Sequence, residues 1–143
     1  MSLDQIYQSK ILEHNRAPRN HFELSDATHS ANGMDALCGD DIRVWIRVED
    51  GRVAAASWSG EACAITTASA SMLSRWLAGR RIEDIGPAFQ LFMKLLEKPE
   101  QPDAPALGEI NALRAVGRFP SRRRNALLPW KATLEALASD RST

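Results

Sequence analysis

The sequence predicts an α+β fold, a small three-stranded antiparallel sheet packed against several helices, in a single domain covering residues 1–143. Three observations carry this prediction. A segment of helical period comes first, strand-like segments follow, and helical segments fill the rest. Residues 42–49 alternate apolar and polar side chains, with Asp50-Gly51 supplying the chemistry of a tight hairpin immediately after them. The length of 143 residues suits one core, and no internal repeat divides it.

Taken in order, Leu3, Ile6, Tyr7, Ile11 and Leu12 recur at helical spacing and make an amphipathic first helix. It should end near His14-Asn15, because Pro18 disfavours the helical region for the residue before it. Residues 16–20 then form an ordered loop. The stretch Asp26 to Met34 alternates weakly and suits a short edge strand. Ile42, Val44, Ile46 and Val48 alternate with Arg43, Trp45, Arg47 and Glu49 as a half-buried strand, and residues 52–59 return beside it. Thr66 or Thr67 is placed to cap the next helix, which carries Met72, Leu73, Trp76 and Leu77 to a stop at Gly79. Its first turns, rich in Ala and Ser from Ala62 to Ser71, permit close backbone approach or leave a cavity beside Cys63. Pro87 suits the first position of a further helix with Phe89, Phe92, Met93, Leu95 and Leu96 on its apolar face. Pro99, Pro102 and Pro105 break the chain into a connector. A short helix over 107–116 ends at Gly117, and residues 119–138 make the last helical region.

Composition narrows the function classes. Eighteen basic residues balance eighteen acidic ones, which gives no support for nucleic-acid binding. The four tryptophans are not interleaved with basic residues as a base-stacking platform would require. No apolar run approaches the length that spans a bilayer, and no signal pattern opens the chain, so a cytoplasmic location is expected. Two cysteines do not make a disulfide framework; in a reducing compartment they are free, metal-bound or reactive.

Those two cysteines sit in distinctive company. Cys38 lies in Leu37-Cys38-Gly39-Asp40-Asp41, just before the alternating strand, and Gly39 allows a tight conformation that turns thiol and carboxylate toward one point. Cys63 lies where the returning strand gives way to a helix, and partial positive charge at a helix start suits an anionic metal-binding or nucleophilic sulfur. Either could instead be a small buried apolar residue. Two sulfurs and one carboxylate are fewer than the four ligands of a closed zinc site. His14, His21 and His29 have no ligand spacing and read as surface or capping residues. The run Arg122-Arg123-Arg124 reads first as a solvated face, with docking of an acidic partner surface as the second reading.

Together these segments resemble the NifU N-terminal / IscU family of iron-sulfur cluster assembly scaffolds, in its SufU-type branch. Leu12 to Asn20 is similar to the family's "DHyknPRN" segment, and Leu37-Cys38-Gly39-Asp40 to its CGD motif. Gly60 to Ile65 with Ala68 to Ser71 is similar to "GeGCaiS.ASaS", and Ser121 to Ala132 to "aRikCatLsWkAl". The long interval from Ala78 to Gly117 is the mark of the SufU-type branch. The resemblance implies a metal or cluster site built from three cysteines and the CGD aspartate, which carries over to Cys38, Asp40 and Cys63. At the third cysteine the chain has Asn125, preceded by Arg124. A neutral amide oxygen suits hard cations and is a poor ligand for zinc or an iron-sulfur centre. Pro129 lacks the N–H that would bond the Asn125 carbonyl, so a kink or a helix restart is expected there.

The resemblance implies iron-sulfur cluster assembly with a cysteine desulfurase as partner, Cys38 as sulfur acceptor, apo iron-sulfur proteins as possible recipients, and zinc or a cluster as cofactor, held weakly if at all. The protein would be at most a sulfurtransferase-like relay. The alternative is a scaffold fold without metal that acts as a binding or regulatory module.

Overall fold

The computed structural model describes residues 2–139. Its elements are α1 (Leu3–Arg16), β1 (His29–Asp35), β2 (Asp40–Glu49), β3 (Arg52–Glu61), α2 (Ala64–Leu77), α3 (Ile85–Glu97) and α4 (Pro120–Ala138), with 3-10 segments at Ile82–Asp84 and Pro105–Arg118. The three strands form one antiparallel sheet in the order β1-β2-β3. The α+β expectation therefore holds, and the weak alternation before Met34 is a full strand.

Strand parity decides which side chains face the helices. On β2, Asp40, Ile42, Val44 and Ile46 are buried while the residues between them are partly or fully exposed. Asp50 and Gly51 both take positive φ, 51° and 74°, as a two-residue type I′ hairpin requires. Between Arg47 and Val48 the register with β3 shifts, so Ala54 is extra on β3. The bulge resets the inward set from Val53 to Ala56 and Trp58.

The covered sheet face packs on α4 and α2. Gly33 on β1 leaves room for α4, since a Cβ there would meet Leu128 Cγ at 3.2 Å. Behind them, Trp130 is fully buried and stands against Trp76, Phe92 and Phe89 with ring centroids 5.3, 5.5 and 6.1 Å away.

Four sequence expectations need correction. The N-cap of α2 is Cys63, not Thr66 or Thr67, and it makes no side-chain capping bond. Residues 105–118 are 3-10 rather than one α-helix, and they bend at Gly108, whose φ of 52° and ψ of −129° are non-helical. Pro87 lies in the first turn of a helix that already begins at Ile85. Finally, α4 runs through Pro129 without restarting. Side chains of α2 meet the carbonyls in that turn: Ser69 Oγ donates to Ala126 O at 2.6 Å, and Thr66 Oγ1 stands 3.4 Å from Asn125 O. These contacts hold α2 against that turn, and the backbone presenting Asn125 stays helical.

His14 is a further correction, because it is wholly buried rather than on the surface. Its Nε2 lies 2.8 Å from Glu109 Oε1 and its Nδ1 lies 2.6 Å from Ser71 Oγ. Burial holds the imidazole below its ordinary pKa, against the opposing pull of Glu109. One proton placement satisfies the chain: the Arg19 N–H donates to Ser71 Oγ at 2.7 Å, the Ser71 hydroxyl to Nδ1, and Nε2–H to Glu109. Arg75 closes it with two bonds to the Glu109 carboxylate, 2.8 and 2.9 Å. This network ties α1, the Pro18 loop, α2 and the 3-10 segment together.

Candidate functional site

β1 and β2 are joined by the four-residue loop Ala36-Leu37-Cys38-Gly39. Asp35 shapes it: Oδ1 accepts the Leu37 N–H at 3.1 Å, and its carbonyl accepts the Cys38 N–H at 3.2 Å. Gly39 takes φ of +73° and turns the chain into β2. The loop lifts Cys38 into solvent, and the thiol is free. Cys63, half-buried, stands at the start of α2. Asn15 helps fix that end by donating to the Ala64 carbonyl at 2.9 Å.

Asp40 lies beneath the two thiols, 2% exposed. Its parity with Ile42 turns it inward, so a carboxylate is carried to the core face of the sheet. Both oxygens are engaged. Oδ1 accepts the Cys63 backbone N–H at 2.7 Å. Oδ2 accepts the Thr66 hydroxyl at 2.5 Å and Asn125 Nδ2 at 2.9 Å, with Cys63 Sγ at 3.8 Å. Thr66 Oγ1 is also 3.4 Å from Cys63 Sγ. Asn125 Oδ1 lies 3.5 Å from Cys38 Sγ, the thiol donating.

Asp35 pairs with Asp40 across the strands, and both carboxylates face inward. Arg124 Nε reaches Asp35 Oδ2 at 2.7 Å, and that bond holds the Asp35 carboxyl below the usual carboxylate range. The same bond raises the Arg124 guanidinium, with a smaller contribution from Cys38 beside it. Cys38, Cys63, Ile65, Arg122 and Asn125 line an open depression of about 440 Å³. A more apolar trough of about 340 Å³, walled by Ile11, Leu12, Val116 and Phe119, continues from it and shares Ile65 and Arg122.

A model of the NifU-like N terminal domain matches residues 6–126. The chain belongs to that family. A Bacillus subtilis relative, zinc-dependent sulfurtransferase SufU, is 34% identical over 139 residues, 97% of this chain and 94% of the relative. The iron-sulfur cluster assembly scaffold protein IscU of Thermotoga maritima is 31% identical over 137 residues, 96% of each chain. Among solved structures, a nitrogen-fixing NifU-like protein (N-terminal) from Brucella abortus matches with a TM-score of 0.81 at 24% identity, over 95% of both chains. A putative iron-sulfur cluster assembly scaffold protein for the SUF system from Fervidobacterium islandicum matches with a TM-score of 0.78 at 23% identity, over 93% of this chain and 97% of that one. These two show that the family fold is shared.

The fold brings Cys38, Asp40, Cys63 and Asn125 together. The histidines lie elsewhere: His14 in its buried network, His21 stacked on Trp58 at 3.9 Å, and His29 against Thr28. Two members escaped the sequence reading. Thr66 was read as a cap, although its place one turn after Cys63 puts both on one helix face. Asp35 carried no motif; only its pairing with Asp40 reveals it.

The arrangement does not fit a closed zinc centre. Zinc asks for four deprotonated or neutral donors converging on one point. Here Asp40 already accepts three donors, and Asn125 turns its N–H2 group, not an oxygen, toward the carboxylates. Among the described residues, no three His, Cys, Asp or Glu side chains form a group that could hold a metal ion. Also among them, no helix is long and apolar enough to cross a membrane.

Proposed function

We propose that this protein serves iron-sulfur cluster assembly as a SufU-like sulfur acceptor, taking persulfide sulfur from a cysteine desulfurase onto Cys38. The observation that carries the reading is an exposed thiol on the tip of a short hairpin loop, sharing one depression with a second thiol. Family membership, and the names of the relatives as a sulfurtransferase and assembly scaffolds, support it.

The transfer needs little from the protein beyond presentation. Cys38 Sγ attacks the terminal sulfur of the partner's persulfide. A new S–S bond forms on Cys38, the partner's S–S bond breaks, and the departing thiolate takes the proton that Cys38 gives up. Nothing is oxidised or reduced overall. Arg124 beside the thiol and Arg122 on the rim offer positive charge to an anionic persulfide. Cys63 supplies a second sulfur within the depression for handing the cargo to apo iron-sulfur proteins. Asp40 anchors the floor by holding the Cys63 backbone and Thr66. No step runs through zinc, since Asp40 would first have to give up its donors.

The test is incubation with a cysteine desulfurase and free cysteine, followed by mass spectrometry of the persulfide. The wild type should gain one sulfur on Cys38, Cys63→Ser should still gain it, and Cys38→Ser should not. Equal labelling of Cys38→Ser, or none of the wild type, removes the reading. Desulfurase binding without any sulfur uptake would put the binding or regulatory module in its place.

A further inference from the structure

The hairpin end holds a charge problem that the fold has to solve. Asp35 and Asp40 stand directly opposite each other, 8% and 2% exposed, where like charges across a strand pair are destabilising. Arg124 answers for Asp35 from one side. Asn125 bridges the two, since its Nδ2 reaches Asp40 Oδ2 at 2.9 Å and Asp35 Oδ2 at 3.3 Å. Its other end is used as well, since Oδ1 takes the Cys38 thiol at 3.5 Å. One buried amide, 3% exposed, therefore touches both carboxylates and the exposed cysteine.

A sulfur at this position, as the family resemblance would have it, could do none of this. As a thiol it would offer at most one weak S–H donor, and as the thiolate that binds metal it would bring a further anion toward two carboxylates, which favours a cation among them. A neutral amide closes the same gap with hydrogen bonds. The Asp40 carboxylate then has three donors, from the Cys63 backbone, Thr66 and Asn125, and is satisfied as a buried anion must be. Ser69 bonds the Ala126 carbonyl next to Asn125 at 2.6 Å, and the helix presenting Asn125 continues through Pro129.

We infer that Asn125 does in this chain the work of a bound cation: it clasps the Asp35–Asp40 hairpin onto α4 and makes the centre complete without metal. The consequence for sulfur uptake rests on the acceptor reading above; the structural clasp does not.

The experiment measures zinc content and thermal stability of the wild type, Asn125→Cys and Asn125→Asp, each with zinc and with a strong chelator. The wild type should carry far less than one zinc per chain, and its melting temperature should be the same under both conditions. Asn125→Cys should bind about one zinc per chain and melt about 5 °C or more higher with zinc than with chelator. Asn125→Asp keeps the shape but loses the donor, so it should melt below the wild type at pH 7. A wild type that retains one zinc per chain through gel filtration, and melts several degrees lower when chelated, overturns the inference. So does an Asn125→Asp variant as stable as the wild type. Persulfide uptake on Cys38 in the presence of chelator is the separate arm. Its loss in chelator alone counts against metal independence, whereas its absence in both conditions removes the acceptor reading and leaves the clasp to stand on the melting data.

Discussion

Thr66→Val is the sharpest probe of the floor beneath the thiols. Thr66 is fully buried, and its hydroxyl is 2.5 Å from Asp40 Oδ2. Valine keeps the branched shape, so no cavity opens and the loss is that of the O–H alone. Removing one donor from a buried carboxylate costs about 1.5–3 kcal/mol. Greater apolar burial of the added methyl offsets roughly 0.8 kcal/mol. The net expectation is a loss of about 0.7–2.2 kcal/mol, or about 2–7 °C in melting temperature for a domain of this size. Urea denaturation monitored by tryptophan fluorescence reads it directly, and Thr66→Ser is the control that keeps the hydroxyl. Because Thr66 Oγ1 also lies 3.4 Å from Cys63 Sγ, alkylation of Cys63 should quicken in the valine variant. A change below about 0.5 kcal/mol would show that the Asp40 bond is not what Thr66 contributes.

Other perturbations test the frame around the site. His14 is buried with its pKa below the ordinary 6.5, so the unfolded chain takes up the proton first and stability should fall as pH drops below about 6.5. Glu109 is pushed up by burial but brought below the usual range by Arg75 and His14, so its contribution is lost only at pH below its ordinary 4.5. Urea midpoints at pH 7.5 and 5.5 should therefore differ for the wild type but not for His14→Gln; equal slopes would mean that His14 is not the titrating group. Gly117→Ala would place a Cβ 2.0 Å from the Leu96 carbonyl oxygen and should cost about 1–3 kcal/mol or more by the same urea assay. Gly60→Ala meets the Asp41 carbonyl at 2.2 Å at a φ of +105°, where β2 and β3 deliver Asp40 and Cys63. It should lower the melting temperature and change the alkylation rate of Cys63 together, and an unchanged rate would separate the strand end from the thiol.

Much of the site was legible along the chain because it is built from local rules. Alternation over residues 42–48 places a strand, Asp50-Gly51 turns it, and the parity that buries Ile42 also buries Asp40 two residues earlier. The turn at Gly39 exposes Cys38, and the strand-to-helix change puts Cys63 at a helix start. These features depend on neighbours in sequence, and the motifs around them were enough to suggest the family. Tertiary structure decided the rest. The bond between Asn125 and Asp40 spans 85 positions and exists because α4 lies on β1 where Gly33 lets Leu128 approach. His14 is buried because α2 and the 3-10 segment close over it, and α4 is tied to α2 where Ser69 meets the Ala126 carbonyl. Local patterning tells which way each residue faces. Only packing tells what it meets there, and at this site that meeting turns Asn125 from a missing ligand into a clasp.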